Sequence, residues 1–239
     1  STSLEPSLQD DMEAVLDAFG YRVRRTTLTG CCGRPQVSAG LLGEARLLIE
    51  RSAGPLAIEL DQSGAVAMIV IEPSCMSAIR EEWQELESSV PRSITDRLAT
   101  AVTSIEAFLE SRWDAHPRRP RVALPKSITV HPHCHAKVDR DDFRRLLDRF
   151  GAVDAEVLDS GCCGLAGSFG YVAEHAELSR RIFEQSLGAT VSDLEAGSLV
   201  AADTSCRHQC SDLAEVEAIH PATLIAQAIR SANSSGEAP

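Results

Sequence analysis

Two pairs of adjacent cysteines stand out, Cys31–Cys32 in "TGCCGRPQVSAGLL" and Cys162–Cys163 in "SGCCGLAGSFGYVAEH". Single cysteines follow at Cys75, Cys134, Cys206 and Cys210, making eight. Thiolates bind metals and exchange disulfides, and a buried thiol packs as a small hydrophobe. Neighbouring cysteines are poor disulfide partners because closing the ring strains the backbone. The chain's opening, "STSLEPSLQDD", lacks the basic and apolar regions of a secretory signal, so extracellular disulfides are not expected. Metal ligation, redox thiols and packing remain. Adjacent thiols on a tight turn can ligate neighbouring metal atoms of one inorganic cluster, which a single zinc ion does not require. Gly161, Gly164 and Gly167 beside the second pair would let backbone approach such a cluster and donate hydrogen bonds to its sulfur.

The cysteines repeat. A shift of 131 residues places Cys31 on Cys162, Cys32 on Cys163 and Cys75 on Cys206, without a gap. Gly30 and Gly33 fall on Gly161 and Gly164, and "VLDAFG" ending at Gly20 falls on "LLDRFG" ending at Gly151. An internal duplication follows. The position matching Cys134 is Ser3. The second copy therefore offers four thiols, Cys134, Cys162, Cys163 and Cys206, and the first offers Cys31, Cys32 and Cys75. The start of the chain falls partway through the first copy's opening strand end, which suggests a piece of a longer polypeptide.

Each copy reads as a helix, a strand, the Cys-Cys-Gly turn, a second helix, a β-branched strand and a Ser-Cys helix start. The first helices span about 6–19 and 141–150, with Gly20 and Gly151 just past their ends. The strands are "YRVRRTT" and "AEVLDS", then "VAMIVIE" and "SLVAAD"; the second helices span about 39–52 and 171–187. A long helix over about 94–113 and the strand "SITVH" lie between. Alternating strands and helices predict an α/β fold: two duplicated units, pseudo-two-fold related, each a small parallel sheet flanked by helices. The expected organisation is a first unit at 1–114, truncated at its N-terminal edge, a Pro/Arg-rich linker at 115–126, a second unit at 127–230, and a disordered tail at 231–239.

In a parallel sheet, ligands gather beyond the carboxyl ends of the strands. Cys134, the pair Cys162–Cys163, and Cys206 each follow a different strand end, so four thiols are expected at one sheet edge. Cys75 and Cys206 sit near helix starts, where the helix dipole favours a thiolate. Cys210, four residues after Cys206, is expected to pack in the core. His131, His133, His135, His175 and His208 are expected to make hydrogen bonds rather than to ligate.

Net charge is −12 over 239 residues, with 44% hydrophobic and 24% charged residues. Such an acidic chain is a poor nucleic-acid binder, and "HPRRPR" is too short to change that. No apolar run approaches the roughly 20 residues of a membrane span. The expectation is a cytoplasmic protein without direct membrane insertion, associated with a membrane only through a partner.

The two "CCG" turns, each followed by a Ser-Cys helix start, resemble the cysteine-rich CCG domain of heterodisulfide reductase. Related domains occur in iron–sulfur subunits of glycolate oxidase, lactate-utilisation and anaerobic glycerol-3-phosphate dehydrogenase systems. "CCGRP", "IEPSCMSAIREE", "HPHCHAK", "DSGCCGLAGSFGY" and "TSCRHQ" are most similar to the C-terminal iron–sulfur region of FAD-linked D-2-hydroxyacid dehydrogenases. The resemblance covers nearly the whole chain. It implies electron transfer from a flavin domain or subunit, which oxidises a hydroxy acid such as D-lactate, glycolate or D-2-hydroxyglutarate. The acceptor would be a quinone, a cytochrome or a ferredoxin-like protein. Cys134, Cys162, Cys163 and Cys206 carry over as ligands of a [4Fe–4S] cluster; Cys31, Cys32 and Cys75 match the first motif. The fuller motif ends in Cys-x-x-Cys, but Gln209 and Ala78 stand at the last position here. One centre is therefore expected in the second unit. For the first unit a second centre, a share in the first, and none stay open. No flavin-binding motif is present, so FAD would belong to another domain or partner. Two other functions compete: a disulfide-reductase-type enzyme with a catalytic cluster, and a structural zinc fold.

Overall fold

The computed structural model describes residues 5–26, 30–136, 140–152, 154–194 and 198–234. The chain runs through α1 (Pro6–Ala18), α2 (Arg34–Ser38), α3 (Leu42–Ser63), β1 (Met68–Ile69), α4 (Pro73–Ser77) and α5 (Trp83–Glu85). There follow α6 (Arg92–Ala101), β2 (Val102–Thr103), α7 (Ile105–Ser111), β3 (Thr129–His131), α8 (Arg140–Arg149) and β4 (Glu156–Val157). The chain ends with α9 (Ala173–Phe183), α10 (Ala189–Val191), β5 (Leu199–Ala201), α11 (Thr204–Ala214) and α12 (Pro221–Ser234). This is an α/β fold with two small parallel sheets. No helix among the described residues is long and apolar enough to cross a membrane.

The chain divides into two compact units, residues 1–23 with 105–239, and residues 24–104. In the larger unit the sheet order is β4-β3-β5, all parallel. β3 and β5 are buried at every position, as parallel strands covered on both faces require. β5 is flanked on its other side by Ile219, whose amide donates to Leu199 O and whose carbonyl accepts from Ala201 N. In the smaller unit β1 pairs with β2. Its core gathers Ile49, Ala53 and Ala57 of α3 with Met76, Ile79, Trp83, Leu98 and Val102.

The larger unit shows how the duplication folds. α1 buries Met12, Val15, Leu16 and Phe19; the shift of 131 carries these onto Phe143, Leu146, Leu147 and Phe150 of α8 and its end. The apolar stripe is the same in both helices. α1 packs on α12, while α8 packs on α7, and α7 touches α12. Phe19 and Phe150, which are repeat-mates, meet with ring centroids 6.4 Å apart. Both helices end alike: Gly20 N donates to Asp17 O and Tyr21 N to Leu16 O, while Gly151 N donates to Asp148 O and Ala152 N to Leu147 O. Compact unit and sequence repeat are thus different partitions of the chain, since the first repeat's α1 is folded into the larger unit.

Several elements differ from the sequence expectation. Residues 21–26 join no ladder. In the second repeat the matching strand, β4, pairs with β3. The expected helix over 94–113 is broken after Ala101, because β-branched Val102 and Thr103 pair with Met68 and Ile69. α3 continues to Ser63 through Pro55, and the corresponding helix of the second repeat continues through a π-helical stretch, Glu184–Gly188. Pro55 and Ser186 are repeat-mates, so both helices are irregular at one place: Pro55 lacks the amide the helix needs, and the other helix is locally widened. Finally, α12 extends to Ser234, four residues into the expected tail; residues 235–239 lie outside the described residues.

Candidate metal centre

The strand order decides which cysteines meet. β3 ends at His131, β4 at Val157 and β5 at Ala201, side by side. Adjacent strands lie about 4.8 Å apart, so the residues just past each strand are delivered to one edge. Cys134 opens a short 3₁₀ turn, Cys134–Ala136. Cys162 and Cys163 form the turn after β4, and Cys206 lies in the first turn of α11. Their thiols lie near enough to perturb one another's ionisation in sequence, Cys134 with Cys162, Cys162 with Cys163, and Cys163 with Cys206. Cys163 and Cys206 are buried; Cys134 and Cys162 are half-buried. Hydrogen bonds from Cys134, then Cys163, pull the Cys162 thiol down to about 2. The hydrogen bonds to Cys162 push Cys134 and Cys163 well above the usual thiol range, with burial adding to it. The group holds one negative charge readily and resists further charge unless something cationic shares it.

The Cys-Cys-Gly turn is tightly supported. Gly164 has φ +90°, and its amide donates to Cys162 Sγ at 3.3 Å. A Cβ there would strike Ser179 O and approach Ile182. Ser179 Oγ donates to Gly164 O at 2.9 Å and accepts from Gln209 Nε2 at 3.0 Å. Gln209, at the position where the fuller motif has its last cysteine, is therefore tied by hydrogen bonds to the turn. Ser186 Oγ donates to Cys162 O at 2.6 Å from the π-helical stretch. Gly161 packs against Ser186, and Gly167 N donates to Ser205 Oγ at 3.2 Å.

Two residues beside the thiols were not singled out as ligands from sequence. His133 Nε2 lies 3.4 Å from Asp203 Oδ2 and 3.9 Å from Cys134 Sγ. With Cys206 Sγ, the His133 and Asp203 atoms fall within 4.8 Å of one another, and all three residues are buried. Asp203 also caps α11, accepting from Ser205 N through Oδ1 at 2.9 Å. A signal for it exists in the sequence: the shift of 131 places Glu72 on Asp203, each three residues before a cysteine, and both are buried. Beside the site Arg207 is 5% exposed and donates to Ala201 O, Ala202 O and the Glu5 carboxylate.

The smaller unit builds its turn the same way with fewer thiols. Gly33 has φ +87°, and its amide donates to Cys31 Sγ at 3.5 Å. Cys32 and Cys75 share a hydrogen bond, Sγ to Sγ 3.1 Å. It lowers Cys32 to about 7 and, with burial, drives Cys75 far up. Cys31 is exposed. Trp83 Nε1 donates to Cys32 O at 2.8 Å. The position matching Cys134, Ser3, lies outside the described residues.

The remaining candidates are placed as follows. Cys210 is fully buried in the core with Leu187, Val191, Leu199 and Val216, and burial pushes its thiol up to about 12. His131 Nδ1 pairs with Ser160 Oγ at 2.8 Å, joining β3 to the start of the turn. His175 stacks on Phe169, ring centroids 4.1 Å apart. His208 is half-buried on α11.

A parallel sheet edge that assembles cysteines from a duplicated Cys-Cys-Gly turn marks a class of cysteine-rich domains. The chain belongs to the CCG cysteine-rich domain family, which matches residues 2–80 and 128–211. It is similar to a subunit of anaerobic glycerol-3-phosphate dehydrogenase of Escherichia coli, 27% identical over 94% of this chain and 56% of the relative. It is also similar to D-2-hydroxyglutarate dehydrogenase of Pseudomonas putida, 27% identical over 82% of this chain but 18% of the relative. Lactate utilization protein A of Bacillus velezensis is 25% identical over 80% of this chain and 79% of its own length. The chain thus spans about half of the first relative and under a fifth of the second. No solved structure matches it.

Proposed function

We propose that this chain is the iron–sulfur electron-transfer module of a flavin-dependent 2-hydroxyacid oxidoreductase. It would hold a [4Fe–4S] cluster through Cys134, Cys162, Cys163 and Cys206 and pass electrons from FAD on another domain or subunit to an acceptor. One observation carries the reading: three adjacent strand ends pool four thiols at one sheet edge, where each perturbs its neighbour's ionisation. Four cysteine thiolates are the usual complement of such a cluster. A glycine turn with an amide aimed at sulfur suits a bulky inorganic centre, since its hydrogen bonds stabilise the more negative reduced state. When bound, the cluster supplies reversible electron storage. The chain's residues do the rest. Cys163 and Cys206 form the dry inner wall, Cys134 and Cys162 form the edge nearest solvent, and Gln209 and Ser179 hold the turn in place. The dehydrogenase names of the relatives favour an oxidoreductase component over a structural zinc fold.

Anaerobic reconstitution with iron and sulfide tests the reading. The expected product is brown, with about four irons per chain and an EPR signal on reduction. Electron uptake from a reduced flavin dehydrogenase would then test the partner. A colourless protein that takes up only zinc would overturn the reading.

A further inference from the structure

His133, Asp203 and Cys206 invite a single-ion reading, because their nitrogen, oxygen and sulfur atoms are close and buried. The His133–Asp203 separation of 3.4 Å is near the distance between two ligands on one tetrahedral zinc, about 3.3 Å for metal–ligand bonds of about 2.0 Å. The ring's other nitrogen decides against it. The backbone N–H of His135 donates to His133 Nδ1 at 3.2 Å. A nitrogen that accepts carries no proton, so the ring proton is on Nε2. An ion on Nε2 would need that proton on Nδ1, where the His135 amide points. His135 also stacks on the His133 ring, centroids 5.4 Å apart and planes 22° from parallel, which fixes its orientation.

The Nε2–H is therefore a donor, and it faces two acceptors, Asp203 Oδ2 at 3.4 Å and Cys134 Sγ at 3.9 Å. Asp203 is itself held by the Ser205 amide at the start of α11. Resting on the iron–sulfur reading above, we infer that His133 is a positioning residue that tunes the centre. Its tautomer, fixed by the His135 amide, presents an N–H shared between Asp203 and the sulfur of Cys134 and so favours the reduced cluster. A buried donor at sulfur stabilises added negative charge. The buried carboxylate of Asp203 opposes that charge, and His133 offsets part of the opposition. The two residues of one pair thus push the reduction potential in opposite directions.

The test is a redox titration of the reconstituted full chain, followed by EPR, with iron content measured on each sample. His133→Ala lowers the potential and Asp203→Asn raises it, both with iron retained; asparagine keeps the helix cap. Each change alters the reduction equilibrium by about three- to tenfold, tenfold being 59 mV for a one-electron couple. His133→Gln, which keeps an N–H, recovers part of the loss. A potential unmoved by His133→Ala, or moved the same way by both residues, overturns the proposal. If His133→Ala fails to fold, ¹⁵N NMR of the wild-type metal-free chain decides: the proposal requires an unprotonated Nδ1, and a protonated Nδ1 overturns it. Failure of the wild-type chain to take up iron is a separate result and sinks the iron–sulfur reading itself.

Discussion

The two Cys-Cys-Gly turns are near copies in backbone and different in chemistry. Both carry a left-handed glycine whose amide donates to the first cysteine of the pair. In both, the carbonyl of one of the paired cysteines is held by a side chain from a later helix, Trp83 in one and Ser186 in the other. Among the described residues only the larger unit adds a third strand, β3, whose end brings Cys134 and His133 to the edge. The duplication therefore preserved the means of presenting two thiols. The number of thiols gathered at the edge follows from how many strand ends lie beside them.

That contrast can be broken first at the sulfurs. Cys163→Ser or Cys206→Ser should abolish iron uptake on reconstitution, while Cys31→Ser, at an exposed thiol of the smaller unit, should leave it. Equal loss from both units, read by iron and sulfide analysis, would erase the asymmetry. Next come the glycines. Alanine at Gly33 or Gly164 meets left-handed backbone costing about 1–2 kcal/mol, but only at Gly164 does the new carbon strike backbone; at Gly33 its nearest neighbour is 3.7 Å away. Overpacking of that kind adds about 1–3 kcal/mol, so Gly164→Ala should be the less stable variant in urea unfolding. Equal losses would show that the two turns are equally tight.

Smaller effects sharpen the picture. Ser186→Ala removes the hydrogen bond to Cys162 O and should cost about 1 kcal/mol with iron retained. Glu5→Gln weakens the pairing with buried Arg207 and should cost about 1 kcal/mol at neutral pH. Burial raises the Glu5 carboxyl, but the Arg207 hydrogen bond and charge outweigh it and hold the carboxyl below its ordinary value. Its contribution is thus fully present above about pH 4.3, the unfolded carboxyl value, and is lost as pH falls through the lower folded value. The wild-type advantage over Glu5→Gln should vanish in acid; a difference that persists there would show that the ion pair is not its source.

Much of this was legible in the chain, because local patterns survive duplication. The shift of 131 exposed the paired turns, the glycine helix ends and the apolar stripe, which buries Phe19 of the first copy and Leu146 and Leu147 of the second. It also held Glu72 and Asp203, a match that goes unnoticed when attention is on sulfur alone. The broken helix at Val102 was not legible, since residues 94–113 are individually compatible with a helix and only pairing with Met68 and Ile69 makes two of them a strand. Helix propensities differ by tenths of a kcal/mol, which one ladder and one buried valine overturn.

The sequence by itself determined the repeat, the thiols, the turns that carry them and the alternation of strands and helices. Spacing and residue type act over a few neighbours, so these features needed no partner. The tertiary structure alone decided that β4, β3 and β5 lie side by side, that α1 of the first copy packs on α12 of the second, and that His133 meets Asp203 across two strand ends. Those are contacts between residues distant in the chain, and they exist only because burying apolar faces together outweighs the entropy of closing the loops between them.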